Sequence, residues 1–294
     1  MKRIINLFTF CFLLSLVLIG CQDGSYVKKN KPLIVTTIYP YELIVKEMVD
    51  TLFTVETLLP PNASPHIWSP GPKDILKLGK ADAVVSNGLG LEYNLNKTLT
   101  KISSKHIIAS SFIDKKLLLS DDDHGSAAVN PHIWTSPVFL IEIVTGLSNE
   151  LGKRFPENKP AIENNANRMV IEINQIANKI KLEKEQYPDA AIVTLHDAFA
   201  YYFNYFNIDF VGSVQPTAGK DPAPRQLQEL ADHIKTKKIK AIFIEPQMNP
   251  KPAEILAQEL NLKVLQYDDL GTKLGAKTIA DYLWLNWIKL KAGF

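Results

Sequence analysis

The sequence predicts an α/β protein of two doubly wound lobes joined by one long helix. Two observations predict it. Short apolar, β-branched runs alternate with stretches of helical periodicity in both halves of the chain, the pattern of sheets covered by helices. Between the halves, Pro160 to about Gln186 carries Ile162, Ala166, Met169, Ile173, Ile176, Ala177 and Ile180 at helical spacing, with no further Pro or Gly inside. At 1.5 Å per residue that helix is roughly 37–40 Å long, about one domain diameter, and it reads as a strut between two lobes. Its opposite face carries Glu163, Arg168, Glu172, Lys179 and Glu183.

The remaining elements follow in order. Leu33–Ile38 is a short β-branched strand ended by Pro40, and Tyr41–Asp50 is a helix with Leu43, Ile44 and Met48 on one face. Phe53–Leu59 is the next strand and delivers the chain into a Pro/Asn/Ser-rich turn. Asp74–Gly79 is a short helix, Ala83–Ser86 a buried strand closed by Asn87-Gly88, and Ile107–Ser110 another strand. Ser120–Asn130 is polar and acidic and reads as a loop. Ser136 as N-cap and Pro137 at N1 open a helix to about Leu151. Beyond the strut, strands at Ala190–Leu195, Ile208–Gly212, Ala241–Ile244 and Val264–Tyr267 alternate with helices at Arg225–Lys235, Ala253–Leu260 and Ala276–Lys289. The expected organisation is a signal at 1–20, a tether at 21–32, an N-terminal lobe at 33–157, the linking helix at 158–187 and a C-terminal lobe at 188–294.

The first residues read as an export signal. Lys2 and Arg3 precede a mostly apolar run from Ile4 to Ile19, too short for a comfortable membrane span. The run ends in Leu18-Ile19-Gly20-Cys21, which resembles a bacterial lipobox, so Cys21 is expected to be lipidated and to anchor the exported protein at the bacterial membrane. The only other cysteine, Cys11, lies inside the signal, which leaves no disulfide and no thiolate metal site. Any metal must be held by nitrogen and oxygen. The chain has 33 Lys+Arg against 31 Asp+Glu, and removal of Lys2 and Arg3 leaves the two signs equal. That balance gives no support to nucleic-acid binding.

The chemistry concentrates in histidine. The chain has six, and two of them occupy matched Pro-His-Ile-Trp turns at Pro65–Trp68 and Pro131–Trp134. A stiff turn presents an imidazole without a floppy tether. In open α/β sheets, ligands bind beyond the carboxyl ends of strands. His66 follows the strand Phe53–Leu59, His132 precedes the Pro137 helix, His196 ends the strand Ala190–Leu195, and Asp268 ends the strand Val264–Tyr267. Two of the four fall in each lobe, so a cleft between lobes could close on one cation. Three imidazoles and a carboxylate make a complete tetrahedral set for Zn²⁺. An Asp at a strand end also commonly caps the next turn, and the neighbouring Asp269 could equally be meant. His106 and His233 read as structural, and His124 as part of a solvated loop.

The segments LLPPNASPHIWSPGPKDILKLGKADAVVSNGLGLEYNL (58–95), NPHIWTSP (130–137), VTLHDAFAYYFNYF (193–206) and KAIFIEPQMNPKPAEILAQELNLKVLQYDDLGT (240–272), with the long middle helix, resemble the solute-binding lipoproteins of zinc/manganese ABC transporters. The resemblance covers essentially the whole mature chain. It implies His66, His132, His196 and Asp268 as metal ligands, an ABC permease as partner, a monomer, and capture and delivery of metal rather than catalysis. The expected cargo is zinc, with manganese as the alternative. Imidazole at position 196 suits zinc, whereas a second carboxylate would suit manganese better, but the loop before His132 is short for a zinc relative and holds only His124 among three aspartates. A zinc hydrolase would need a general base beside an open site, and no His-Glu-x-x-His occurs. A metal-stabilised surface adhesin is the further alternative that the resemblance carries.

Overall fold

Each half of the chain builds one four-stranded sheet in which every strand pair is parallel. The computed structural model describes residues 31–120, 129–215, 219, 220 and 222–294. The expected signal, Cys21 and Asp121 to His124 therefore lie outside the described residues. Strands β1 (Leu33–Thr36), β2 (Thr54–Thr57), β3 (Ala83–Ser86) and β4 (His106–Ile108) lie in the order β2-β1-β3-β4. Strands β5 (Ala191–Thr194), β6 (Asp209–Ser213), β7 (Ala241–Ile244) and β8 (Lys263–Gln266) repeat that order as β6-β5-β7-β8. Each sheet changes winding direction between its two central strands, and the space beyond the carboxyl ends there is where such sheets bind ligands. The central strands β3 and β7 are buried along all their residues, as sheets covered on both faces require.

Helix α1 (Tyr39–Val49) starts earlier than the sequence suggests. Pro40 sits in its first turn, where the missing N–H costs nothing, and does not merely end the preceding strand. Leu43, Ile44 and Met48 are buried as expected. Helices α2 (Pro72–Lys80) and α3 (Asn96–Lys101) complete the first sheet's cover. Helix α4 (Pro137–Arg154) has Ser136 as its N-cap, whose Oγ accepts from the Phe139 N–H. The long helix α5 (Lys159–Lys184, 26 residues) buries Ile162, Ala166, Met169, Ile173, Ala177 and Ile180. It packs on α4, on α1 and on the C-terminal helix α9 (Ile279–Leu290). One continuous apolar cluster runs from Ile34 and Val85 of the first sheet through Ile173 of α5 to Ile192 and Phe243 of the second. The linking helix is thus cemented into both halves, and residues 32–294 form one compact unit.

Two short helices escape the sequence reading, α3 and α6 (Ala200–Phe206). The α6 sequence AYYFNYF is rich in aromatics, which are modest helix formers. Burial of Tyr201, Tyr202, Phe203 and Phe206 supplies what propensity does not, and Asn207 ends the turn in the left-handed conformation. The last two helices before α9 are α7 (Pro224–Thr236) and α8 (Lys251–Leu260). His106 begins β4 and its Nε2 lies 2.7 Å from Ser86 Oγ, while His233 is exposed in the last turn of α7. Neither belongs to the group of three close histidines formed by His66, His132 and His196. Among the described residues no helix is long and apolar enough to cross a membrane.

Candidate metal centre

The two Pro-His-Ile-Trp turns are built differently. In the first, the Ile67 and Trp68 N–H groups both donate to the Ser64 carbonyl, which tightens the chain around His66 and leaves Ile67 67% exposed. In the second, Ile133 and Trp134 are fully buried. Trp134 Nε1–H donates to the Asp269 carbonyl (2.8 Å), and Asn87 Nδ2 donates to the Pro131 carbonyl (2.9 Å), so the turn is pinned from both sides. His196 lies two residues beyond β5, and its carbonyl accepts from Thr194 Oγ1 at 2.6 Å.

These turns bring the three histidines together. One ligand atom from each of His66, His132 and His196 lies within 4.8 Å of the other two, and no other His, Cys, Asp or Glu group of this kind occurs among the described residues. The ring centroids are 4.8–5.0 Å apart. His66 Nε2 and His132 Nε2 are 3.0 Å apart. Tetrahedral zinc with Zn–N of 2.0–2.1 Å sets its nitrogens about 3.3 Å from one another, so this pair already stands near chelating distance.

The tautomer of His132 follows from its neighbours. Asn130 Nδ2 lies 2.9 Å from Asp197 Oδ2 and 3.2 Å from the Asp197 carbonyl, both acceptors only, which fixes the orientation of the amide. Asn130 Oδ1 must then accept from His132 Nδ1 at 2.8 Å, as it does from the His132 backbone N–H at 3.0 Å. A neutral ring with its proton on Nδ1 presents the Nε2 lone pair to the cluster. Orientation of a metal-binding histidine by a partner at its other nitrogen is the usual arrangement in metal sites.

Carboxylates flank His196. Glu245 directly follows β7, is 2% exposed, and holds Oε1 3.6 Å from His196 Nδ1. Asp197 Oδ1 lies 3.4 Å from His196 Nε2. Tyr267 OH donates to Glu245 Oε1, whereas Glu245 Oε2 is buried with no hydrogen-bond partner among the described residues. A buried polar oxygen left without a partner is costly. Burial depresses the pKa of His196, but the Glu245 carboxylate, then Asp197 and Asp269, outweigh it and leave the value raised above the usual 6.5. Burial pushes the Asp269 carboxyl well above its ordinary range; Glu245 and Asp268 add to this, and His196 opposes it.

Asp268 does not join the imidazole group. Its Oδ1 accepts from the backbone N–H groups of Leu270 (3.2 Å) and Gly271 (3.0 Å) and from Gln247 Nε2 (3.0 Å), and its Oδ2 accepts from the Lys273 N–H (2.6 Å). Those donors organise the turn after β8, the capping use that a strand-end Asp commonly serves. The carboxylates that line the cavity beside His66 and His196 are Glu245 and Asp269. Sequence reasoning did not single out Asn130, Asp197 or Glu245, although the first two each stand within two positions of a chosen histidine.

The chain matches a family model described as the zinc-uptake complex component A, periplasmic (ZnuA), over residues 34–290. A Thermotoga maritima protein named for metal binding is 35% identical over 257 residues, covering 86% of this chain and 89% of that protein. The high-affinity zinc uptake system protein ZnuA of Bacillus subtilis is 27% identical over 270 residues, covering 86% of this chain and 83% of the relative. The periplasmic zinc-binding protein TroA from Treponema pallidum has the same fold, with a TM-score of 0.82 at 22% identity over 90% of this chain and 99% of that one.

Proposed function

Because the chain belongs to the ZnuA family of periplasmic zinc-uptake components, we propose that it captures a divalent transition metal, zinc above all, outside the cytoplasmic membrane and delivers it to an ABC permease. The observation that carries the reading is the convergence of His66, His132 and His196 from three separate segments onto a space one ion wide. Imidazole-rich donor sets favour zinc over manganese, which prefers more oxygen. We assign His66, His132 and His196 as ligands, each neutral when the metal is bound. Asp268, whose oxygens already accept from four donors, shapes the adjoining turn; Glu245 and Asp269 line the cavity beside the ion. The protein is a carrier and not an enzyme. It acts as a monomer tethered to the membrane by lipid on Cys21, and zinc is its cargo, with manganese as the alternative.

The test is titration of chelator-stripped protein with Zn²⁺ and Mn²⁺, paired with growth of a deletion strain under metal chelation. One-to-one zinc binding stronger than manganese binding, and a growth defect relieved by zinc, are the expected results. Normal growth of the deletion strain under chelation would favour an adhesive role over transport.

A further inference from the structure

We infer that Asn130 and Asp197 form a positioning pair that couples two of the chelating imidazoles across the two halves of the molecule. The inference rests on the metal-capture reading of the same site. Asn130, only 1% exposed, belongs to the first half, and Asp197 to the second. At one end Asn130 Oδ1 holds the Nδ1–H and backbone N–H of His132. At the other, Asn130 Nδ2 donates to both the side chain and the carbonyl of Asp197. Asp197 in turn places Oδ1 3.4 Å from His196 Nε2. Two side chains therefore run from one ligand ring to another, between residues that are 67 positions apart.

The same junction carries a second strand of bonds. Tyr201 OH, from α6, donates to the Asn130 carbonyl (2.7 Å) and accepts from the Leu119 N–H (3.1 Å). The segment that delivers His132 is thus docked on the segment that delivers His196, and Asn130 is the one residue in both sets of contacts. A donor set assembled from two sheets binds an ion more tightly when both sheets already hold it at chelating separation, because less ordering remains to be done on binding. The Asn130–Asp197 bridge does this at the level of side chains, whereas the buried apolar cluster does it at the level of whole elements.

The experiment is a double-mutant cycle on the full mature chain with Zn²⁺ as the probe. Affinity is read by chelator competition and dissociation by stopped flow, with thermal denaturation of the metal-free proteins in parallel. Loss of an outer partner of a metal-bound histidine lowers affinity about 10–100-fold. Asn130→Ala and Asp197→Ala should each show a loss in that range, and the double variant should lose no more than the worse single one, because the two act as a unit. Asp197→Asn, which keeps an oxygen for Asn130 Nδ2, should lie closer to the parent than to Asp197→Ala, and this milder change keeps the test alive should an alanine variant fail to fold. Parental affinity in both alanine variants, strictly additive losses, or lower melting temperatures with unchanged zinc affinity would each overturn the coupling. Failure of the parent itself to bind zinc would instead overturn the functional reading.

Discussion

His66 Nε2 and His132 Nε2 face one another at 3.0 Å although they come from separate turns 66 residues apart. The proton on His132 Nδ1 leaves its Nε2 as a lone-pair acceptor, so in the metal-free protein His66 must donate into this contact. A metal ion replaces that donated proton. His132→Ala removes one ligand and the partner that aligns His66. Zinc affinity should fall by at least about 100-fold, more than loss of an outer partner costs. Isothermal titration in competition with a chelator checks this, and His233→Ala, exposed on α7, should bind like the parent.

Metal binding should shift melting strongly. Glu245 and Asp269 are buried and line the cavity beside His66 and His196, so a cation bound there meets carboxylate oxygen as well as imidazole nitrogen. A cation that binds only the folded state stabilises by about 4 kcal/mol at a free concentration a thousand times Kd. For a chain of this size that corresponds to a rise in Tm of roughly 8–16 °C. Differential scanning calorimetry with and without zinc reads it directly, and a chelator should reverse it.

The pH dependence of the two states should have opposite sign. The folded pKa of His196 is raised, because the carboxylates beside it outweigh burial. Its proton therefore stabilises the metal-free fold fully below the unfolded value of about 6.5, and that contribution is lost as pH rises through the folded value. Zinc needs the neutral ring, so affinity should fall as pH drops, and the fall should begin above about 6.5. Calorimetric titration at about pH 7.5 and pH 5.5 should show much weaker binding at the lower value; equal affinities would contradict the ligand assignment.

A second titration lies away from the cluster. Burial is the main cause that lifts Glu47, on α1, to about 7; Glu172 of α5 adds to it, while the Ile279 N–H at the start of α9 and Arg168 oppose it. A folded value above the unfolded one of about 4.3 means that the stabilisation is complete below that point and lost as pH rises through about 7. Glu47→Gln should remove this loss. The melting-temperature difference between variant and parent, measured on metal-free protein, should grow in the variant's favour between about pH 6 and pH 8.

Much of the fold was legible because period and punctuation agreed. Ala83–Ser86 and Ala241–Ile244 are strands at the very residues that their buried β-branched runs indicate, and Ser136-Pro137 opens α4 where its capping chemistry says. The aromatic helix α6 was not legible, because its stability comes from the core it enters and not from local preference. At the site, the repeated turn and the strand-end rule lead to all three histidines. They do not separate Asp268 from its neighbours, because whether a strand-end carboxylate faces a ligand or its own turn depends on backbone N–H groups that only the folded loop brings round. Nor does the repeat reveal that its second copy is core and its first is surface: Ile133 is buried and Ile67 exposed, in identical tetrapeptides.

The packing of the linking helix carries its own prediction. Ile173 is fully buried in the cluster that joins both sheets. Ile173→Ala should cost about 2–5 kcal/mol of stability, read by denaturant unfolding of the metal-free chain. Because the cluster is continuous, unfolding should remain a single transition in which both halves are lost together.

Zinc K-edge X-ray absorption of the stoichiometric complex counts the imidazoles bound to the ion. Three imidazole nitrogens at about 2.0–2.1 Å, reduced to two in each of His66→Ala, His132→Ala and His196→Ala, is the predicted result. A zinc shell with fewer imidazoles in the parent, or one unchanged by any of these substitutions, would contradict it.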